Sequence, residues 1–192
     1  MTQLNPYDKF LDGRPLETIL AATPDAIAQV LDTLGPKQEQ KPAPEKWSPA
    51  EIVSHLADCE IVFAFRLRQT LAEDAHTIQP FDQDKWAVQY PGIPAALALE
   101  TFSAVRQWKL RLIQSVLPAA AGKTVTHPER GAMTFQTIVE TMAGHDLNHL
   151  AQLRRLAAPP RLTAISECQN QSVPPVPRPP RRRDRGGKLF AH

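Results

Sequence analysis

Residues 135 to 156 place bulky side chains at intervals of three and four positions, and this spacing limits the fold strongly. Side chains spaced in this way share one face of an α-helix, and that face is buried when the helix packs against others. The face comprises Phe135, Ile138, Met142, His145, His149, Gln152 and Leu156. Histidine occupies two positions where leucine would be usual, and Thr134 is placed to cap the helix. The spacing therefore predicts a buried helix that directs two imidazoles into the core.

Three earlier segments show the same helical spacing. Their apolar faces are Leu16, Leu20, Thr23, Ile27, Val30 and Leu34; Ile52, His55, Cys59 and Val62; and Phe102, Val105, Leu112 and Val116. Ser48, Pro49 and Glu51 form the pattern of a capping box and predict the start of the second helix. Thr23 followed by Pro24 indicates that the first helix restarts at that point.

Four helices of about 20 residues, with no strand alternation and no internal repeat, predict an all-α fold, an up-down-up-down-type four-helix bundle. We expect this domain over residues 1–158. The connection from residue 76 to 94 is too long for a simple turn, and connections of that length often form lids or binding loops. The Pro- and Arg-rich segment 159–192 has too few apolar residues to offset its ordering entropy, so we expect a disordered tail.

Composition indicates the compartment and the partners. The chain has no charged start followed by an apolar run and no stretch of about 18 apolar residues. Two cysteines do not imply a disulfide framework, so we expect a cytoplasmic protein without a membrane partner. The arginines of the tail are the only candidate contact for nucleic acid, and no aromatic residues interleave them, so such binding is not expected. They are Arg178, Arg181, Arg182, Arg183 and Arg185.

The two histidines of the fourth helix have the spacing of a metal-binding pair. Residues four positions apart lie about 6 Å from each other on one helix face, so His145 and His149 can both present a nitrogen to one ion. A third ligand must come from another helix, and His55 is the candidate because it lies on the inward face of the second helix. Three neutral imidazoles leave a coordination position open, which is typical of catalytic sites.

Other interpretations of these histidines are weaker. A single buried histidine is more often a hydrogen-bonded core residue than a ligand, so His55 alone is weaker evidence for a metal site than the pair on the fourth helix. The metalloprotease pattern requires glutamate where Asp146 stands. A His-Asp phosphohydrolase site requires a later aspartate in a folded segment, and Asp184 in the tail is the only one. A ferritin-like centre requires glutamate three residues before each histidine, where Ile52 and Met142 are found.

Several polar residues are candidates for supporting roles. Asp58 and Asp146 lie close to the histidines in sequence and are candidates to orient an imidazole or to accept a proton, although solvated or structural roles are favoured for both. Cys59 is either a fourth ligand or a small buried hydrophobe. Arg66 and Arg106 are candidates to bind a carboxylate of a cofactor or substrate.

The connection from residue 76 to 94 is rich in aromatic residues. Phe81, Trp86 and Tyr90 are candidates to close over a substrate, and the alternative is that Trp86 packs into the core. Trp86 and Tyr90 are also candidates, with Arg66, to bind a cofactor. The histidines outside the patterned helices are expected to be solvated: His76, His127 and His192.

Three stretches of the chain resemble a known family. They are KWSPAEIVSHLADCE, FDQDKWA and HPERGAMTFQTIVETMAGHDLNHLAQL, and together with the intervening pattern they cover residues 15 to 156. This part of the chain is similar to the DinB-like superfamily, close to its branch of bacillithiol transferases and metal-dependent hydrolases. The resemblance implies a four-helix bundle, a divalent metal held by His55, His145 and His149, and a homodimer. The family pattern has no counterpart of the Pro- and Arg-rich tail.

The resemblance also implies a range of activities on small molecules. Some members transfer a low-molecular-weight thiol to an electrophile, others are described as metal-dependent hydrolases, and the cofactors are a divalent ion such as Zn, Ni or Fe and in some cases the thiol. We therefore expect a metal-dependent thiol transferase or hydrolase. The alternative is a helical module that binds metal without turnover in a stress or detoxification response.

Overall fold

The computed structural model describes residues 4–159, in which five α-helices and a two-stranded sheet are found. The helices are α1 (Leu16–Leu34), α2 (Pro49–Ala72), α3 (Gln83–Ala87), α4 (Ala95–Val116) and α5 (Phe135–Ala157), and the strands are β1 (Thr124–His127) and β2 (Gly131–Thr134). Short 3-10 helices at Asp8–Phe10 and Gly35–Glu39 precede and follow α1. The expected disordered tail, with its arginine cluster, Cys168 and His192, lies outside the described residues.

The four long helices form an all-α four-helix bundle, as the spacing of apolar residues predicts. Helix α1 packs against α5 and α4, and α2 packs against the same two helices. The order around the bundle is therefore α1, α4, α2, α5, so α1 lies diagonally opposite α2, and α4 lies diagonally opposite α5. This arrangement places α2 directly beside α5, so the helix that carries His55 contacts the helix that carries the other two inward-facing histidines.

The starts of α2 and α5 agree with their sequence signals. Ser48 Oγ accepts a hydrogen bond from the Glu51 backbone N–H at 3.2 Å, and Glu51 Oε2 accepts one from the Ser48 N–H at 2.7 Å. Thr134 Oγ1 accepts a hydrogen bond from the Thr137 N–H at 3.1 Å. These caps fix where each helix begins, and so they fix which residues of α2 and α5 point into the bundle.

Helix α1 runs without a break through Pro24, so the predicted restart at this position is wrong. Thr23 does not cap a new helix, because its hydroxyl donates to the Ile19 carbonyl at 2.9 Å. Pro24 has no N–H, and the Leu20 carbonyl therefore lacks its usual helical donor. That carbonyl accepts a hydrogen bond from Arg106 Nη1 of α4 at 2.9 Å. A side chain from another helix thus compensates for the proline, which the local sequence could not indicate.

The buried face of α4 differs from the predicted one. It includes Phe102, Arg106, Lys109 and Ile113, while the predicted positions Val105, Leu112 and Val116 are only half-buried. Arg106 and Lys109 are 1% and 0% exposed, because Glu60 and Asp146 neutralise their charges inside the bundle. Apolar spacing could not identify this face, since two of its positions are cationic.

A short hairpin between α4 and α5 contradicts the expectation of no strands. Strands β1 and β2 pair antiparallel with His127 opposite Gly131, whose φ of +85° favours glycine. Each strand has only four residues, too few for alternation to be recognised in the sequence. A parallel bridge between Thr77 and Thr126 ties the connection from residue 76 to 94 to the hairpin.

The core consists of two apolar clusters along the bundle. One includes Cys59 and Met142, and the other includes Leu56 and Leu150. On both α2 and α5 the inward-facing histidines lie near the boundary between the clusters. Among the helices of residues 4–159, none combines the length and the apolar character that crossing a bilayer requires.

Candidate metal centre

Histidines from two helices meet in the interior of the bundle. His55 lies on α2, and His145 and His149 lie one turn apart on α5. The Nε2 atoms of His55 and His145 are 3.1 Å apart. The ring centroid of His149 lies 5.0 Å from that of His55 and 4.5 Å from that of His145. The structure thus brings together the three imidazoles that the sequence indicates as ligand candidates.

Burial keeps these imidazoles uncharged. The exposed fractions are 1% for His55, 4% for His145 and 8% for His149. Burial, with a smaller contribution from a charge on His149, lowers the pKa of His55 to about 3. Burial and then the neighbouring histidines lower the pKa of His145 well below its usual value, and burial lowers the pKa of His149. Near neutral pH all three rings are therefore in the form that donates a lone pair to a metal.

The orientation of His149 is fixed by a neighbour on its own helix. His149 Nδ1 lies 3.0 Å from Gln152 Oε1. Because the amide oxygen can only accept, Nδ1 carries the ring proton and donates it, which leaves the Nε2 lone pair free. A hydrogen bond on the far nitrogen is typical of histidines that bind metal through the other one.

Cys59 belongs to the same cluster. Its Sγ lies 3.6 Å from His55 Nε2 and 3.9 Å from His145 Nε2. One potential ligand atom from each of His55, Cys59 and His145 lies within 4.8 Å of the other two. His149 is not part of this group of three, although its ring is adjacent. Two nitrogens on one tetrahedral zinc ion lie about 3.3 Å apart, and a nitrogen and a sulfur about 3.6 Å. The observed separations fit a shared cation. Burial raises the pKa of Cys59, so the thiol stays protonated unless a cation displaces its proton.

Aromatic rings shield the imidazoles. The Trp47 ring lies 5.0 Å from the His55 ring, and the Tyr7 ring lies 5.1 Å from the His145 ring. Tyr7 reaches this position because the N-terminal segment packs closely on α5 at Gly144, where a Cβ would lie only 2.6 Å from the Tyr7 carbonyl oxygen. Glycine at this position therefore allows the N-terminal segment to cover the centre.

A pocket of about 370 Å³ opens onto the centre at His145 and Cys59. Its walls come from α2, the connection from residue 76 to 94, the hairpin and the N-terminal segment. Arg66, one of the predicted cofactor-binding residues, lines this pocket together with Phe81. A small molecule can therefore reach the side of the centre formed by His145 and Cys59.

Trp86 and Tyr90, the other predicted cofactor-binding residues, line a separate pocket of about 520 Å³ between α2, α3 and α4. Trp86 is 40% exposed and packs on Phe81 at a centroid distance of 4.8 Å, so it does not fill the core. Tyr90 is 3% exposed and donates its hydroxyl to Asp58 at 2.9 Å. Neither side chain lines the pocket that reaches the imidazoles.

The two aspartates considered as catalytic candidates have other partners. Asp58 accepts the Tyr90 hydroxyl, and Asp146 accepts hydrogen bonds from Arg106 Nη1 at 2.6 Å and Nη2 at 3.1 Å. Successive residues of a helix point about 100° apart, so Asp146 faces α4 while His145 faces α2. Within residues 4–159 neither carboxylate is hydrogen-bonded to a histidine of the centre. Arg106, considered for ligand binding, holds Asp146 and Glu60 inside the bundle.

The expectation that His76 and His127 are solvated is wrong. His127 is 5% exposed, and its Nδ1 accepts a hydrogen bond from the Glu129 N–H at 3.2 Å. His76 is half-buried, with Nδ1 2.9 Å from Glu73 Oε2. His127 is buried because it lies on the inward side of β1, and a strand of four residues is too short to be predicted from its pattern.

Four residues around the centre and its pocket have no helical pattern to reveal them. They are Tyr7, Trp47, His127 and Arg130. A usable signal exists only for Trp47, since a large residue directly before a helix cap commonly packs on the first turns of that helix. The other three lie on the N-terminal segment and the hairpin, whose positions depend on tertiary contacts.

Comparison with known proteins identifies relatives of this sequence. A family model described as the DinB superfamily matches residues 19–153. A protein of Oceanobacillus iheyensis named "Putative metal-dependent hydrolase" is 27% identical over 111 residues, which cover 57% of this chain and 64% of that protein. A protein of Bacillus mycoides with the same name is 26% identical over 136 residues, covering 69% of this chain and 78% of that protein. The chain thus spans just under two thirds of the first of these relatives.

A solved structure has the same fold. YfiT from Bacillus subtilis, described as a probable metal-dependent hydrolase with an unusual four-helix bundle topology, superimposes with a TM-score of 0.66 at 18% sequence identity. The superposition covers 73% of this chain and 85% of that one.

Proposed function

The chain belongs to the DinB superfamily, and from this premise we propose that it is a divalent-metal-dependent enzyme that hydrolyses a small-molecule substrate. We propose His55, His145 and His149 as the metal ligands. The observation that carries the proposal is the convergence of three buried, uncharged imidazoles from two helices beside a pocket that His145 lines. The names of the relatives from Oceanobacillus iheyensis and Bacillus mycoides support it.

Three imidazole ligands carry no negative charge, so a divalent cation held by them would keep a net positive charge even if the Cys59 thiolate joined them. Such a cation would supply Lewis acidity that lowers the pKa of water or of a thiol toward neutrality. The protein's own residues provide the setting for this chemistry. Trp47 packs on His55 and Tyr7 packs on His145, and Gln152 orients His149. A substrate that enters the pocket meets the centre beside Cys59 and His145.

Transfer of a low-molecular-weight thiol is the second candidate function. The observation that favours it is the position of Cys59 Sγ, 3.6 Å from His55 Nε2, because it indicates that a sulfur atom fits beside the imidazoles. An exogenous thiolate would occupy the same kind of environment. Imidazole ligands suit Zn, Ni and Fe alike, so the ligand set does not select one metal.

Two further expectations stay predictions. A homodimer would have to cover part of the exposed apolar surface, which includes Ile61 and Phe65 of α2 and Trp108 of α4. Sedimentation of the purified protein measures this directly. The cytoplasmic location likewise rests on the sequence alone.

The proposed function is tested with the purified full chain, treated with chelator and then supplied separately with Zn, Ni, Fe or Co ions. Hydrolysis is followed with nitrophenyl esters and anilides, and thiol transfer with cysteine as the thiol and chlorodinitrobenzene as the electrophile. His55→Ala and His149→Ala remove proposed ligands. His76→Ala is the matched control, because His76 pairs with Glu73 rather than with the centre.

We expect turnover in one of the two assays, and we expect that turnover to require added metal. Both ligand variants should reduce it by at least about a hundredfold, whereas the control should retain it. Metal-dependent turnover that survives both ligand substitutions would contradict the proposed ligands. Stoichiometric metal binding with no turnover on either substrate class would favour the non-catalytic module.

A further inference from the structure

The pocket beside the candidate centre contains two arginines that have no carboxylate partner. Arg66 of α2, Arg130 of the turn between β1 and β2, and His127 of β1 all line it. Among the described residues, no carboxylate oxygen lies within 4.0 Å of either arginine. This differs from Arg106, whose charge is neutralised by two acids in the bundle interior.

The Arg66 side chain is held in place, and one of its N–H donors has no acceptor in the protein. Its Nη2 donates to the Gln79 carbonyl at 3.2 Å, and its Cζ lies 6.0 Å from the Phe63 ring centroid and 5.8 Å from that of Phe81. Its Nε is buried and has no hydrogen-bond acceptor in the protein. A buried donor without an acceptor is unfavourable, and a guanidinium fork matches the two oxygens of a carboxylate or phosphate.

The two arginines repel each other and disfavour a charge on His127. Burial is the main cause that lowers the pKa of Arg66, and the charge of Arg130 lowers it further. Burial is also the main cause that lowers the pKa of His127; the charges of both arginines add to this effect, and Glu129 partly offsets it. Gathering like charges in one pocket is unfavourable unless an anion joins them. His127 adds a further donor: because Nδ1 accepts the Glu129 N–H, the neutral ring carries its proton on Nε2.

The acidic residues of the same wall do not neutralise this cluster. Asp82 accepts the Asp84 and Lys85 N–H groups at the start of α3, and its carboxylate lies 3.3 Å from Lys85 Nζ. Glu129 is exposed to solvent. Neither carboxylate contacts Arg66 or Arg130 within the described residues.

The cluster is close to the candidate centre. The Phe63 ring centroid lies 6.1 Å from the His145 ring centroid and 6.0 Å from Arg66 Cζ. Arg66 and His145 also line the same pocket of about 370 Å³, so one small molecule in the pocket can contact both side chains.

We infer that Arg66, Arg130 and His127 form an anion-binding subsite, and that the substrate is a small organic acid or phosphate ester whose anionic group binds there while its reactive bond lies at the metal centre. The second part of this inference rests on the proposed function. The first part rests on the cationic pocket alone and holds without metal.

The subsite is tested by calorimetric titration of the full chain with inorganic phosphate and, separately, with succinate. Each titration is made on chelator-treated and on zinc-supplied protein. Arg66→Gln and Arg130→Gln remove one charge each, and Arg66→Lys keeps the charge but loses the fork. Arg68→Gln is the control for charge loss on the same helix, because Arg68 stacks on Trp108 at 4.4 Å away from the pocket. The tail arginines are present in every protein compared.

We expect wild type and Arg68→Gln to bind at least one probe equally, and each glutamine variant to bind it about tenfold more weakly, with Arg66→Lys in between. This order should hold in chelator-treated protein. Binding of phosphate but not succinate would assign the phosphate ester, and the reverse would assign the carboxylate.

Absence of binding by wild type, or equal binding by all five proteins, would overturn the subsite. Failure of the proposed function is distinguishable, because His55→Ala protein that binds no zinc should still bind the anion with wild-type affinity in chelator.

Discussion

Cys59 and His55 lie one turn apart on α2, and their contact determines what the centre offers a cation. The Cys59 thiol is buried among apolar residues, and burial raises its pKa, so without a cation it is an inert hydrophobic group. The Sγ–Nε2 separations of 3.6 and 3.9 Å are those expected for sulfur and nitrogen ligands of one ion. These distances raise the question of whether the Cys59 thiol is a metal ligand.

Cobalt(II) absorption answers this question. We expect the cobalt-loaded chain to show a thiolate charge-transfer band in the near ultraviolet, because a coordinating thiol loses its proton outright. Cys59→Ser should lose the band and still bind cobalt through the imidazoles, and Cys168→Ser, the matched control, should keep both. A band that is absent from the wild-type spectrum would show that Cys59 is a packing residue only.

Sequence spacing was sufficient to bring the three histidines together, because i,i+4 geometry and a capping box fix their faces before any tertiary contact is known. It was not sufficient for Asp146, which is adjacent to His145 in sequence and points to a different helix. Nor could it place Tyr7, whose contact with His145 depends on a close approach at Gly144.

Arg106 of α4 links its helix to the other three long helices. It binds Glu60 of α2 and Asp146 of α5 and donates to the Leu20 carbonyl of α1, which Pro24 leaves without a donor. Burial raises the pKa of Glu60, but Arg106 and Lys109 outweigh this effect and hold it below its usual value. The network therefore holds Glu60 ionised inside the bundle, whereas at Asp146 burial outweighs the charge of Arg106 and raises the pKa of the carboxyl.

Replacing Arg106 with methionine should destabilise the fold by about 3–5 kcal/mol, because two buried carboxylates lose their main partner. Urea unfolding measures the loss. Arg111→Met on the exposed side of α4 is the control and should change stability by about 0.5 kcal/mol or less. Equal stability of the two variants would show that the network contributes little to folding.

Gly144 lets the N-terminal segment pack on α5. An added Cβ would lie 2.6 Å from the Tyr7 carbonyl oxygen and 2.7 Å from Tyr7 Cβ. Gly144→Ala should therefore cost about 1–3 kcal/mol and displace the segment, which tryptic cleavage after Lys9 would report as an increased rate. Gly122→Ala, where nothing lies within 4 Å of the added Cβ, is the control. Identical cleavage rates in both variants would mean that the segment is not held at Gly144.

The long helices and their starts were predictable because each carries its own apolar period and cap. The hairpin and the segment 76–94 were not, since four-residue strands and one five-residue helix are placed by contacts with each other rather than by local pattern. These are the elements that build the pocket walls, so the fold was more predictable than the binding site.

For the whole molecule, the buried imidazoles make stability depend on pH. Their folded-state pKa values are lowered, to about 3 for His55, so below about pH 6.5 the unfolded chain binds protons that the folded chain does not. The chelator-treated protein should therefore lose stability as pH falls, by up to about 1.4 kcal/mol per pH unit for each histidine. Urea unfolding between pH 7 and pH 4 measures how steeply the free energy of unfolding falls with falling pH. His55→Gln should reduce this slope by the contribution of one histidine. An unchanged slope in that variant would contradict the burial effect at His55.

Imidazoles of α2 and α5 should bind one cation between them, and anomalous X-ray diffraction at the zinc edge locates that cation. Crystals of the full chain grown with zinc should show one strong peak about 2.0–2.1 Å from the Nε2 atoms of His55, His145 and His149. A zinc peak bound by other residues, or imidazoles that turn away from a common point with zinc in excess, would contradict the account.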